Sequence, residues 1–287
     1  MLIVTAWNDN VNLRTGAKCD IIKIPFIHTT KKRDSFLHRC LENTQKGGNG
    51  MEHYKERAKA LLGERTLGPW WAFRKWCERR VRDVRRLGLR TRDFTVLSNN
   101  CFGGFVYQRY GLPYKTPTAG LFFMPADYLR LLSDPRRYFS APLVFIDPDT
   151  APHAAFLRAQ SAGYGSYPVA RLLDVTVYFM HYATEKEARE KWERRAARIC
   201  WDRLLVKFCD QNGATPEQIA AFDALPYANK VCFCARPYPQ LASVVFLTRD
   251  AGKACVRAET EENGFARDYN LTRAINRLEK AARRSKA

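Results

Sequence analysis

An α/β fold is predicted, with a mainly parallel sheet in a three-layer arrangement and helices on both faces. Three observations lead there. Short β-branched and apolar runs recur at 94–97, 143–146, 175–180, 204–208, 230–234 and 243–247, the composition of strands buried on both sides. Helix-compatible stretches of roughly ten residues separate several of them, the alternation expected of strands joined by crossovers. Finally, the run at 94–97 stops at a polar tip, Ser98, Asn99, Asn100 and Cys101, and passes directly through Gly103 and Gly104 into a helical pattern.

Taken in order, residues 1–50 show no clear period; Lys31, Lys32 and Arg33, then Gly47, Gly48 and Gly50, punctuate a stretch expected to be a disordered leader or the product of a start assigned upstream of Met51. Residues 51–92 read as a basic amphipathic helical segment: Trp70, Phe73, Cys77, Val81 and Val84 recur every three or four positions, with arginines between them. Residues 93–250 form the expected α/β core. Within it, 121–124, 143–146, 167–173 and 175–180 read as strands, Pro125 opens a helix, 185–198 is a charged helix, and Thr215 with Pro216 caps another. Residues 251–287 read as a linker and a C-terminal basic helix carrying Leu271, Ile275, Leu278 and Ala282 on one side.

Ligands of parallel sheets gather outside the carboxyl ends of the strands. Those ends are Asn99, Asn100 and Cys101, then His181, then Asp210, then Arg236. A thiol at the start of a helix is expected to ionise more readily, since the first free N–H groups carry partial positive charge. Cys101 is thus a candidate nucleophile or donor-binding group, with His181 as general base and Asp210 as its orienting partner or a second acid. Asn99 and Asn100 are candidate oxyanion donors. Ser98, Gly103 and Gly104 complete the loop as substrate-binding positions, and Arg236 could hold a donor phosphate. Asn-Asn is also ordinary turn chemistry and free cysteine is commonly buried, so a purely structural loop is the competing reading.

Composition narrows the classes. The aromatic share of 13% and apolar share of 46% describe a globular chain, and no apolar run approaches the roughly 20 residues that span a bilayer. Nine cysteines without a C-x-x-C pair point to reduced thiols and a cytoplasmic location; Cys232 and Cys234 read as core packing. The net charge of +19 sits in the flanks, because residues 93–263 hold 20 basic and 18 acidic side chains. That distribution favours an anionic membrane surface met by the basic helices, on the inner face of the membrane, over specific nucleic-acid recognition. Neither a dinucleotide-binding nor a phosphate-loop glycine motif occurs. Asp147 and Asp149 form an Asp-x-Asp after a strand, the pattern of a metal-dependent glycosyltransferase, and equally a proline turn. His28, His38 and Cys40 fit no closed metal site, and no metal is assigned.

The stretch from Ser98 to Gly104 resembles a bacterial family labelled exopolysaccharide biosynthesis proteins. The similarity continues through Gly111 to Tyr114, Phe179-Met180-His181-Tyr182, Lys191 to Arg195, Trp201-Asp202, Val206-Lys207-Phe208, Leu225 to Tyr227, Asn229 to Cys232, Pro237 to Pro239 and Ser243 to Val245, covering about residues 90–250. Cys200 and Cys209 stand where that family usually carries asparagine and are left out of the site. The resemblance implies a role in making or decorating a surface glycan. Combined with the rim residues, it predicts a transferase moving an acyl group to a sugar hydroxyl of a glycan or glycolipid precursor, with a coenzyme A thioester or a nucleotide sugar as donor. The alternatives are a metal-dependent glycosyltransferase and a non-catalytic, membrane-associated assembly protein.

Overall fold

The computed structural model describes residues 64–284. The expected leader over 1–50 and the opening of the 51–92 segment lie outside them. The chain divides into two compact units, Met1–Ala72 and Phe73–Ala287, and the second carries both sheets. Among the described residues no helix is long and apolar enough to cross a membrane.

A long helix, α1 (Glu64–Leu87), precedes the first strand, β1 (Thr95–Ser98). The sharp turn after β1 opens α2 (Phe102–Tyr110), ended by Gly111 in the left-handed region, where a side chain would be strained. Next come α3 (Pro125–Ser133), α4 (Pro135–Ser140), β2 (Val144–Ile146), α5 (Ala154–Gln160), β3 (Val169–Leu172), β4 (Val175–Tyr178) and α6 (Glu185–Ala196). The rest is β5 (Leu204–Cys209), α7 (Pro216–Ala224), β6 (Lys230–Cys234), β7 (Val244–Phe246), a π-helical turn (Thr260–Gly264) and α8 (Leu271–Arg284). A proline at the first turn of α3, α4 and α7 uses a position whose N–H needs no helical partner. Thr215 and Gln218 close a full capping box on α7.

Four strands form a wholly parallel sheet in the order β1-β5-β6-β7. Alternation sends their side chains to two faces. Leu97, Val206, Phe208, Cys232 and Cys234 pack toward α3, α6 and α7 through Tyr128, Leu131, Trp192, Ile219 and Phe222. Val96, Leu205, Val231 and Phe233 pack toward α2 and α8 through Phe102, Val106, Tyr110, Ile275 and Leu278. The three-layer α/β expectation therefore holds, and Cys232 and Cys234 are core residues as read.

The runs at 143–146, 167–173 and 175–180 instead build a separate antiparallel sheet, β2-β3-β4. Its hairpin turns at Leu173, a non-glycine residue at φ 57°. The predicted strand at 121–124 reduces to a single bridge. Phe122 exchanges both backbone hydrogen bonds with Tyr178, whereas the Phe123 N–H turns to the Asn99 carbonyl at 2.9 Å. Consecutive residues thus tie the two sheets together, and neither sheet gains a strand from them.

Candidate functional site

The carboxyl rim of the parallel sheet begins at the β1–α2 turn. The Ser98 hydroxyl accepts from Gly103 N at 3.0 Å and donates to Asn100 O at 2.6 Å. Asn100 Oδ1 accepts from Phe102 N at 3.2 Å. The first helical N–H groups are therefore satisfied from within the turn, leaving little of the positive helix end for a thiolate or a ligand. Gly103 sits against the strand: a Cβ there would meet the Val96 carbonyl at 3.1 Å and Ser98 Oγ at 3.2 Å. Gly104 lies against Ala119. Gly103 thus serves helix-on-strand packing, and Gly104 the close approach of the 111–120 loop to the helix.

Cys101 is half-buried, and its thiol makes no cap on the helix but donates weakly to the Leu121 carbonyl at 3.8 Å. Burial pushes this thiol up to about 12, and the Glu261 carboxylate adds to the effect. The expected acidified cysteine is thus corrected: the group stays a neutral thiol at physiological pH, because desolvation outweighs a helix end already occupied by Ser98 and Asn100.

Beneath it lies a polar cluster that sequence reasoning missed. Lys207, on the central strand β5, is fully enclosed and pairs with Glu261 from the π-helical turn, itself 2% exposed. The Lys207 ammonium also donates to Asn100 Oδ1 at 3.1 Å and lies over the rings of Phe102 and Phe233, 5.2 and 5.6 Å from their centres. The Asn100 amide donates to Glu261, to Gln211 Oε1 at 2.9 Å and to Cys209 Sγ at 3.4 Å. Burial works against the Lys207 charge, yet the facing Cys209 sulphur and Glu261 carboxylate hold its pKa above the usual lysine value. Asn100 is thereby spent on the cluster, and the Asn99 amide donates to Cys209 O at 3.3 Å. Asn99 is fully buried, so its amide faces no solvent, and among the described residues its Oδ1 has no hydrogen-bond partner. Cys209, set aside on sequence grounds, touches the cluster directly.

Asp210 is also committed. Its two oxygens accept from Ala235 N at 2.7 Å and Val256 N at 2.8 Å, clamping the 250s segment over the ends of β5 and β6. Burial raises its carboxyl above the usual range. Among the described residues no hydrogen bond joins it to His181, the partner it was expected to orient. His181 is exposed at the end of β4, and its backbone N–H donates to Gly120 O at 3.0 Å. Cys101 and His181 therefore flank the same two residues, Gly120 and Leu121, although no hydrogen bond joins them among the described residues. Gly120, at φ +80°, lets this loop pass Tyr182, whose ring stands 3.1 Å from where a Cβ would be. Beside it, Arg195 of α6 is 8% exposed, donates to Ala119 O at 3.1 Å and Tyr182 Oη at 2.6 Å, and lies 4.7 Å from the Tyr114 ring centre. Among the described residues it forms no salt bridge. Arg236 is exposed at the tip of β6, apart from these contacts.

The Asp-x-Asp pair lies on the small-sheet side, in a surface cleft of about 420 Å³. The Asp147 carboxylate accepts from Asp149 N at 2.9 Å, and Asp149 pairs with Arg158. The two carboxylates thus serve a turn and an ion pair. Among the described residues no group of three or more His, Cys, Asp or Glu side chains is placed to hold a metal ion.

Lys207, Arg195 and Tyr182 all fall inside segments that carry the family resemblance, so a signal for them was present. Lysine in an otherwise apolar central strand was a further cue. Glu261 lies beyond those segments.

An uncharacterized protein of Haemophilus influenzae is 35% identical over 159 residues, covering 55% of this chain and 70% of the relative. Residues 72–277, which contain both sheets and all the rim residues above, match the family described as "Domain of unknown function (DUF1919)". The chain belongs to the DUF1919 family, and its rim of buried charge lies within the domain that defines that family.

Proposed function

We propose that the protein is a transferase of exopolysaccharide or capsule biosynthesis that moves an acyl group onto a hydroxyl of a glycan or glycolipid precursor. The glycan class rests on the motif resemblance from Ser98 to Gly104. The observation that carries the site is the concentration of enclosed charge at the carboxyl rim: Lys207 with Glu261 beneath Cys101, and Arg195 beside it. Enclosed charges cost stability relative to apolar packing, and this rim is where parallel sheets collect ligands.

In this reading the acceptor hydroxyl attacks the carbonyl of a thioester donor and gives its proton to His181. The carbon–sulphur bond breaks, the new ester forms on the sugar oxygen, and the departing thiolate takes the proton back from His181. Cys101, held protonated, lines the donor position and does not attack. Arg236 meets the phosphates of a donor such as coenzyme A. A nucleotide sugar bound at the same rim is the alternative donor. The metal-dependent glycosyltransferase reading has less support, since Asp147 and Asp149 are already engaged.

The test is acyl analysis of surface glycan from cells lacking the gene and complemented with the full chain or variants, beside turnover of an acyl-coenzyme A thioester by purified protein. His181→Ala lowers turnover by about 10²–10⁴-fold, while Cys101→Ser retains it. Glycan acylation unchanged by loss of the gene overturns the proposal.

A further inference from the structure

The outward face of α1 carries an apolar stripe that the other described residues do not cover. Phe73, Trp76, Val84 and Leu87 are 54, 47, 68 and 79% exposed. With Arg80 they are spaced three or four residues apart, which places all five within an arc of about 80° along roughly 21 Å of helix. The opposite side meets the body: Arg86 donates to the Gly111 carbonyl at 3.3 Å, and Gly88, just past the helix, accepts from Asn276 of α8 at 2.9 Å. Among the described residues none of the four apolar side chains belongs to a buried cluster. Phe73 and Trp76 stack on each other at 6.0 Å, and the Arg80 guanidinium lies 5.4 Å over the Trp76 ring.

We propose that this face docks the protein on an anionic lipid surface, with Phe73, Trp76, Val84 and Leu87 entering the headgroup boundary and Arg79 and Arg80 pairing with lipid phosphates. Charge selects the occupant. From Phe73 to Leu87 the helix carries seven basic and two acidic residues, and both acids are already paired, Glu78 with Arg74 and Arg82, Asp83 with Arg86. Lys75, Arg79 and Arg80 make no salt bridge among the described residues. A second copy of the same face would bring two basic helices together and bury Arg80 without a carboxylate. A bilayer of anionic lipid instead supplies phosphates beside an apolar layer, the surroundings that suit tryptophan and arginine on one helix. The C-terminal basic helix cannot serve in the same way: Leu271, Ile275, Leu278 and Ala282 of α8 are all buried in the core.

The surface is independent of the transferase chemistry, and its test does not involve the rim. Full-length protein is sedimented with vesicles of phosphatidylglycerol and phosphatidylcholine, and with phosphatidylcholine alone. Binding to the anionic vesicles only, weakened by salt, is expected. Phe73→Ser and Trp76→Ser each reduce it about tenfold, the worth of one large apolar side chain returned to water. The Arg79→Gln/Arg80→Gln pair also reduces it, with helix content and thermal midpoint unchanged in every variant. No binding by the parent protein, equal binding to neutral vesicles, undiminished binding by the serine variants, or a dimer that Trp76→Ser dissociates would each overturn the proposal.

Discussion

The buried pair beneath Cys101 makes a quantitative prediction. In Lys207→Met a side chain of similar length keeps the contacts with Phe102 and Phe233 but removes the cation, leaving Glu261, 2% exposed, with the Asn100 amide as its remaining side-chain partner among the described residues. Breaking a buried pair from one side costs about 3–5 kcal/mol, because the surviving charge is uncompensated. At roughly 2–4 °C per kcal/mol for a chain of this size, the midpoint falls by about 6–20 °C. Replacing both partners, Lys207→Met with Glu261→Leu, removes the stranded charge and recovers most of that loss, so the two substitutions are strongly non-additive. Thermal and denaturant unfolding of the parent, both single variants and the double variant measures the coupling. A Lys207→Met loss below about 1 kcal/mol, or a double variant no better than the worse single, would refute the reasoning, since it would mean water reaches the pair and screens it.

Other consequences are checked more simply. With its pKa pushed up to about 12, Cys101 should react with iodoacetamide roughly a thousandfold more slowly than an unfolded cysteine near pH 8, read by peptide mass mapping; labelling at the unfolded rate would restore the acidified nucleophile. Gly103→Ala forces a methyl against the Val96 carbonyl at 3.1 Å, and strand backbone cannot yield as a side chain can, so a loss of about 1–3 kcal/mol is expected in denaturant melts. Burial alone would raise the Asp250 carboxyl, but the Arg257 backbone N–H and guanidinium, bonded to its two oxygens, hold it below its usual value. A depressed carboxyl contributes stability that is present above its unfolded pKa near 3.9 and is lost as pH falls through the folded value. The difference in stability between the parent protein and Asp250→Asn should therefore shrink below about pH 4, and a difference independent of pH would assign the effect to packing.

Much of the frame was readable from local pattern. The runs ending at Ser98, Cys209 and Cys234 are β-rich and apolar, and each is a parallel strand; Thr215, Pro216 and Gln218 spell a helix start that forms as written. Strand partnership was not readable. His181 was placed on the same rim as Cys101 by assuming one sheet, but β4 pairs with β3 in another. The two residues come near the same loop only because Phe122 and Phe123 bond to opposite sheets. Pairing is a property of two segments distant in sequence, and periodicity within one of them carries no information about the other.

The same division applies to the chemistry. Residue order alone determined that a thiol, two carboxamides and two close-packing glycines stand where a strand turns into a helix, and that positive charge collects in the flanks. Only the folded chain decided what that turn can do. It half-buried the sulphur, filled the helix end with Ser98 and Asn100, spent both Asp210 oxygens on backbone, and brought Glu261 from more than fifty positions away to Lys207. Ionisation depends on the water excluded and the charges gathered within a few ångströms, and that neighbourhood exists only once the chain is folded.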